Sequence, residues 1–276
     1  MNPSQEEVAG RMATPSQDAS TGGHWPWRRD VLSRRELLGH GARMTGALLA
    51  LGPVGLLVGR PNASAVRSVG PMTPRTRLAK AAEQLLQDTS PQFLIDHCHR
   101  SVELASLIVA AGNVDLDEEV LLVGVLLHDL GLTRRFHSSK VRFEVASANA
   151  ARDLALAYGM NPARAEKVWD VAALHGTGGI SDFKSAETAV GSDAIGRDVI
   201  GYGLDGFDPD AVARIMATRA GFAEPFIQAI VADLQDKYQV ASSTWMTTIA
   251  AKYIPGFHQS VIEDLALADP WENPQP

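Results

Sequence analysis

Leu121-Leu122-Val123-Gly124-Val125-Leu126-Leu127-His128-Asp129 is where the reading of this chain begins. Seven residues with no charge and no hydrogen-bonding side chain run straight into an adjacent His-Asp pair. An apolar run of that length belongs in a core. Two polar groups at its end need hydrogen-bond partners or a metal ion, since unpaired burial costs roughly 2 to 7 kcal/mol. Imidazole beside carboxylate is a ligand set for zinc, iron or manganese.

The flanking sequence reads as helix on both sides. Upstream, Arg75 to Asp88 holds helix formers without a breaker, and Ser90-Pro91 predicts a new start with Ser as cap and Pro first. There Leu94, His97, Ser101, Leu104, Ala105 and Ile108 share one face at three- and four-residue steps, until Gly112-Asn113 ends the helix. Asp117 caps the helix that carries the apolar run, which stops at Gly131. Further helices are expected from Phe143 to Tyr158, closed by Gly159, and from Asn161-Pro162 to Leu174-His175. Asp182 to Ile200 reads as one or two short helices. The rest are expected from Asp208-Pro209 to about Arg219, Glu224-Pro225 to about Tyr238, Ser242 to Tyr253, and Gln259 to Ala268. No stretch alternates long enough for a strand, and no internal repeat is visible. The expectation is one all-α domain over 75–255, after a linker at 66–74 and before a tail at 256–276.

Composition narrows the function. The 276 residues suffice for one large domain or two small ones. A net charge of -7 argues against a nucleic-acid partner held by bulk charge. The single cysteine, Cys98, rules out an internal disulfide and reads as a small core residue. A small-molecule substrate is the expected partner, and a homo-oligomer stays open.

The first 65 residues read as a targeting segment. Met1 to Asp30 is polar and rich in Ser, Gly and Pro. Ser33-Arg34-Arg35-Glu36-Leu37-Leu38 then precedes a mildly apolar segment, Gly46 to Gly59, and a small-x-small pattern, Ala63-Ser64-Ala65. The apolar segment is too short for a bilayer, which needs about 20 residues. The arrangement resembles a twin-arginine export signal over 1–65, with Gly39 where such signals often carry lysine. The resemblance implies export of the folded protein to the periplasm or beyond, with no stable membrane insertion after cleavage.

Candidate site residues follow from apolar faces. His97, the His128-Asp129 pair, His175 and Asp198 fall on four separate helices, and bundles build metal sites by aiming side chains inward from facing helices. His97 is preferred to His99, two residues on, because it lies on the apolar stripe. Asp198 is preferred to Asp193 because Val199 and Ile200 enclose it. His137 and His258 lie in polar contexts and read as surface groups. Arg134, Arg135, Lys140 and Arg142 form a basic cluster after the His-Asp pair, either a solvated loop or an anion clamp at the site mouth.

The order of His, then His-Asp, then Asp resembles the HD-domain superfamily of metal-dependent hydrolases, and within it the cyanamide-hydratase-like proteins. The resemblance rests on Asp96-His97-Cys98-His99-Arg100-Ser101, Leu127-His128-Asp129-Leu130-Gly131, Arg142-Phe143-Glu144-Val145 with Ala148-Asn149-Ala150-Ala151, Ala173-Leu174-His175, and Asp198-Val199-Ile200-Gly201. It covers residues 91–203. It implies an HD-domain helical bundle with a mononuclear metal site. His97, His128, Asp129 and Asp198 would hold one divalent transition metal, zinc first, with iron and manganese as alternatives. Those four leave His175 and Glu144, which match positions facing the site, for substrate or proton handling. Arg134 and Arg142 would bind substrate. The implied reaction is hydration or hydrolysis of a small polar carbon–nitrogen compound such as a nitrile or amide. The alternatives are a phosphohydrolase or phosphodiesterase acting on a nucleotide, and a non-catalytic metal-binding domain. Two departures bear on the substrate: Ala146-Ser147, where relatives often carry an acid and a glycine, and Gly176-Thr177-Gly178, where relatives place threonine directly after the histidine.

Overall fold

The apolar run forms the helix that the others surround. A computed structural model describes residues 72–241 and 244–259. The expected export signal, most of the linker, the Ser242 cap and the helix expected beyond Gln259 lie outside them. Among the described residues there are nine α-helices and no strand. They are α1 (Arg77–Thr89), α2 (Gln92–Gly112), α3 (Glu118–Leu127), α4 (Phe143–Ala157), α5 (Pro162–Leu174), α6 (Ala186–Ile200), α7 (Pro209–Met216), α8 (Ala223–Leu234) and α9 (Thr247–Tyr253). No helix among the described residues is long and apolar enough to cross a membrane.

Helix α3 packs against α1, α2, α4, α5 and α6. Every residue from Val120 to Leu127 is buried, so a helix apolar all round is the one that neighbours enclose. Its start is set by Asp117, whose side chain accepts from the Val120 N–H. Thr76, Asn161, Ser185 and Asp208 cap α1, α5, α6 and α7 in the same way. Asn113 closes α2 in the left-handed conformation at φ 47°.

Three helices meet where no side chain fits. A Cβ on Gly124 of α3 would lie 2.6 Å from Val171 of α5, and one on Gly191 of α6 would lie 2.9 Å from the same valine. Here the structure departs from the sequence reading. Asp182 to Ile200 reads as one or two short helices. It contains a 15-residue helix, α6, after a short 3-10 turn, because those glycines permit close packing. A smaller correction lies at Ser90-Pro91. Ser90 ends α1, and Pro91 takes the cap position of α2 with no side-chain hydrogen bond. Helices α7, α8 and α9 are each shorter than expected.

Apolar packing falls into two main clusters. The larger surrounds α3 and draws on α1 to α7. The second is built from Phe143, Phe222, Phe226, Ile230, Leu234, Met246, Ala250 and Ile254, with Trp245 and Leu132 packed against it. The His-Asp pair ends α3 between them: His97 on α2 stacks on Phe222 of the second cluster, ring centroids 4.9 Å apart.

Candidate metal centre

His128 closes α3 and Asp129 follows in a 3-10 turn through Leu132. Both are buried, as is His97. Three atoms converge. His97 Nε2 lies 3.0 Å from His128 Nε2 and 3.5 Å from Asp129 Oδ2, and His128 Nε2 lies 3.4 Å from the same oxygen.

The outward nitrogens of both rings are occupied. His128 Nδ1 donates to the Val125 carbonyl at 2.7 Å, and His97 Nδ1 donates to Asp198 Oδ2 at 2.6 Å. Each Nε2 therefore points inward, and offers a lone pair to a metal once it carries no proton. Neither oxygen of Asp129 has a hydrogen-bond partner, although both are buried. A cation belongs among these groups: either a proton on His128, whose imidazole, against the cost of burial, Asp129 raises well above its usual range, or a metal ion in its place. The donor set fits one divalent transition ion, held by His97, His128 and Asp129. Burial works against charge on Asp129, but the facing His128 outweighs it and holds the carboxyl well below the usual range. The carboxylate is the form that ligates metal.

His175 closes α5 beside this group. Its Nδ1 donates to the Ala172 carbonyl at 2.7 Å, so its Nε2 is a free acceptor, 3.8 Å from Asp129 Oδ1. Burial, helped by the charge on His128, pushes its imidazole down to about 4. It is neutral at ordinary pH and able to take a proton. A gap of that size suits a bridging water.

Glu144, in the first turn of α4, is fully buried. It accepts from Arg142 Nη2 at 2.5 Å and from Trp245 Nε1 at 3.2 Å. Arg142, expected to bind substrate, is thus engaged with Glu144. Arg134 is exposed, as are Arg135 and Lys140.

The first turn of α4 is tied to the His-Asp corner. The Gly131 N–H donates to Ser147 Oγ at 2.8 Å, and that hydroxyl donates to the Phe143 carbonyl at 2.8 Å. A Cβ on Gly131 would overlap the Phe143 backbone. Ser147, one of the two departures from relatives, is therefore a tie between turn and helix. The other departure has a cause too. A Cβ on Gly176 would lie 2.5 Å from Trp245 Nε1, so the glycine lets the tryptophan reach Glu144.

Asp198 lies apart from the converging atoms, on the far edge of the His97 ring. It is fully buried and paired with Arg100. The preference for it over Asp193 holds in burial, since Asp193 pairs with Arg197 and Tyr202 instead. His99 pairs with Glu83 on a half-exposed face. Cys98 is buried, and burial pushes its thiol up. His137 is exposed, as expected, and its two nitrogens face Asp233 and Asp236 of the α8 region at 3.1 and 3.3 Å.

Arg100, Arg219, Phe222 and Trp245 were not foreseen. Arg100 left a signal, since it follows His97 by one helical turn and so falls near the same face. Trp245 left none, because its partners lie far off in sequence.

Comparison with known proteins supports the geometry. The family model of the HD domain matches residues 94–239, more than half of the chain. No curated protein matches the chain.

Proposed function

Because the chain belongs to the HD domain family, whose members are generally metal-dependent hydrolases, we propose that it is a metal-dependent enzyme adding water to a small, uncharged carbon–nitrogen compound of the nitrile or amide type. The observation that carries this reading is the convergence of His97 Nε2, His128 Nε2 and Asp129 Oδ2 around two undonated carboxylate oxygens. The choice of a small uncharged substrate rests on the surroundings. The group is buried, Phe222 stacks on His97 with Phe226 tilted against the same ring, and the guanidiniums of Arg100 and Arg142 are each committed to a carboxylate.

When bound, a divalent transition ion supplies Lewis acidity and brings the ionisation of a coordinated water toward neutral pH. His97, His128 and Asp129 would hold it, and three protein ligands leave a position for water. His175 Nε2 would accept the proton that water loses as oxygen bonds to carbon and return it to the substrate nitrogen, which a nitrile keeps and which an amide releases as the protonated amine when its C–N bond breaks. Glu144, fixed by Arg142 and Trp245, orients the polar end of the substrate. The enclosing phenylalanines exclude bulk water.

A second reading has one observation behind it. Arg134, Arg135 and Lys140 are exposed on the segment after the His-Asp pair, where a phosphate ester would meet positive charge. One experiment separates the readings. Wild-type protein is expected to carry one divalent ion per chain and Asp129→Asn none, by elemental analysis, with nitrile or amide turnover lost in step. Equal metal content in the two proteins would sink the site. Turnover of phosphate esters alone would favour the second reading, and metal without any turnover a binding domain.

We also propose export by the twin-arginine route, on the Ser33-Arg34-Arg35-Glu36-Leu37-Leu38 pattern. Replacing both Arg34 and Arg35 with lysine is expected to leave the protein in the cytoplasm of an expressing bacterium. Unchanged fractionation would overturn this.

A further inference from the structure

We infer that Trp245 is the specificity-determining wall of this site, set across its mouth so that only short substrates reach His97, His128 and Asp129. This deepens the proposed function and rests on its metal reading. The side chains of His97, His128, Asp129 and Glu144 are each 1% exposed or less, while that of His175 keeps 7%. A substrate therefore enters along the end of α5, past His175. Trp245, just before α9, lies on that route. A Cβ on Gly176, the residue after His175, would lie 2.5 Å from the indole Nε1 and 2.9 Å from its Cδ1. The same nitrogen donates to Glu144 Oε1 at 3.2 Å. The indole meets the Phe143 ring edge-on, centroids 6.2 Å apart, and Phe143 faces His175 in turn at 5.9 Å.

The indole is half-buried and Glu144 behind it is fully buried, so the ring stands between that carboxylate and solvent. It is tied by its polar edge and packed against an aromatic neighbour, which leaves it little freedom to swing aside. A fixed wall selects by clash rather than by attraction. A compound of a few heavy atoms fits beneath it, and a long chain on the same head group runs into the indole. Trp245 also lies beyond residues 94–239, so the wall comes from outside the span that matches the family.

The test reads binding at the ion, apart from turnover. Cobalt(II)-loaded wild type and Trp245→Ala are titrated with acetohydroxamate and octanohydroxamate, which share a metal-binding head and differ in chain length. Affinity is read from the visible absorption of the cobalt. Wild type is expected to bind the short probe at least about 10-fold more tightly than the long one, and Trp245→Ala to bind both within about 3-fold of each other. Equal affinity of wild type for the two, a length preference unchanged in Trp245→Ala, or a cobalt spectrum that neither probe alters would overturn the inference and leave the metal reading standing. Protein that takes up no cobalt would overturn both. If Trp245→Ala does not fold, Trp245→Leu, which keeps an apolar side chain against Phe143, carries the same expectation.

Discussion

Helices α1 to α6 and the segment from α7 to α9 divide the labour of this site. The first region supplies every converging atom: His97 from α2, His128 and Asp129 from the end of α3, with His175 from the end of α5 beside them. The second supplies none of these, and instead wraps them. Phe222 stacks on His97, Arg219 holds the end of α6, and Trp245 donates to Glu144. Ligands need rigid, precise placement, which a helical core provides. The wrapping needs only to cover and orient, and short helices with 3-10 turns suffice. Changes in the first region should therefore move metal content, and changes in the second should move stability or turnover with the metal retained.

The largest effect expected in the second region is at Lys237. Its ammonium is buried, paired with Asp233 at 2.7 Å and donating to the Ser138 and Val141 carbonyls at 2.7 and 3.0 Å. It pins the connector after the His-Asp pair to the end of α8. Lys237→Met leaves a buried carboxylate with His137 as its remaining side-chain partner and frees two carbonyls, so a loss of about 3 kcal/mol in denaturant unfolding is expected, with one ion still bound per native chain. Loss of metal from the native variant would break the division between the regions.

Trp245→Phe should be much milder. The ring still covers the site, while the donor to Glu144 is gone. Stability is expected to change by about 1 kcal/mol or less. Turnover should fall with metal content unchanged, measured by elemental analysis beside steady-state kinetics. A variant kinetically equal to wild type would show that Glu144 needs no help from the second region.

The two regions also differ in how far the sequence reveals them. The ligand-bearing helices announce themselves locally, through an apolar run, caps at Asp117 and Asn161, and a histidine on a one-sided stripe. Those signals operate within a few turns of chain, so His97, His128 and Asp129 could be picked out in advance. The export pattern at Arg34-Arg35 lies outside the described residues. What stayed hidden depends on distant partners. Trp245 meets Glu144 across 101 positions, and Arg100 meets Asp198 across 98. Gly191 weakens a helix considered alone and is the residue that lets α6 lie against Val171. Asp198 was expected among the metal ligands, and its contacts with Arg100 and His97 were not legible because those partners lie about a hundred positions away.

The contact of Gly131 with the Phe143 backbone carries a practical lesson for anyone redesigning this protein. With Ser147 bolting the same corner, the turn after Asp129 and the start of α4 move as one piece, so Glu144 cannot be repositioned without dragging the metal-binding corner along. A library aimed at new substrates would waste its members there. The tolerant position is Trp245 beside it, where a smaller side chain opens room at the loss of one hydrogen bond to Glu144 and leaves His97, His128 and Asp129 untouched.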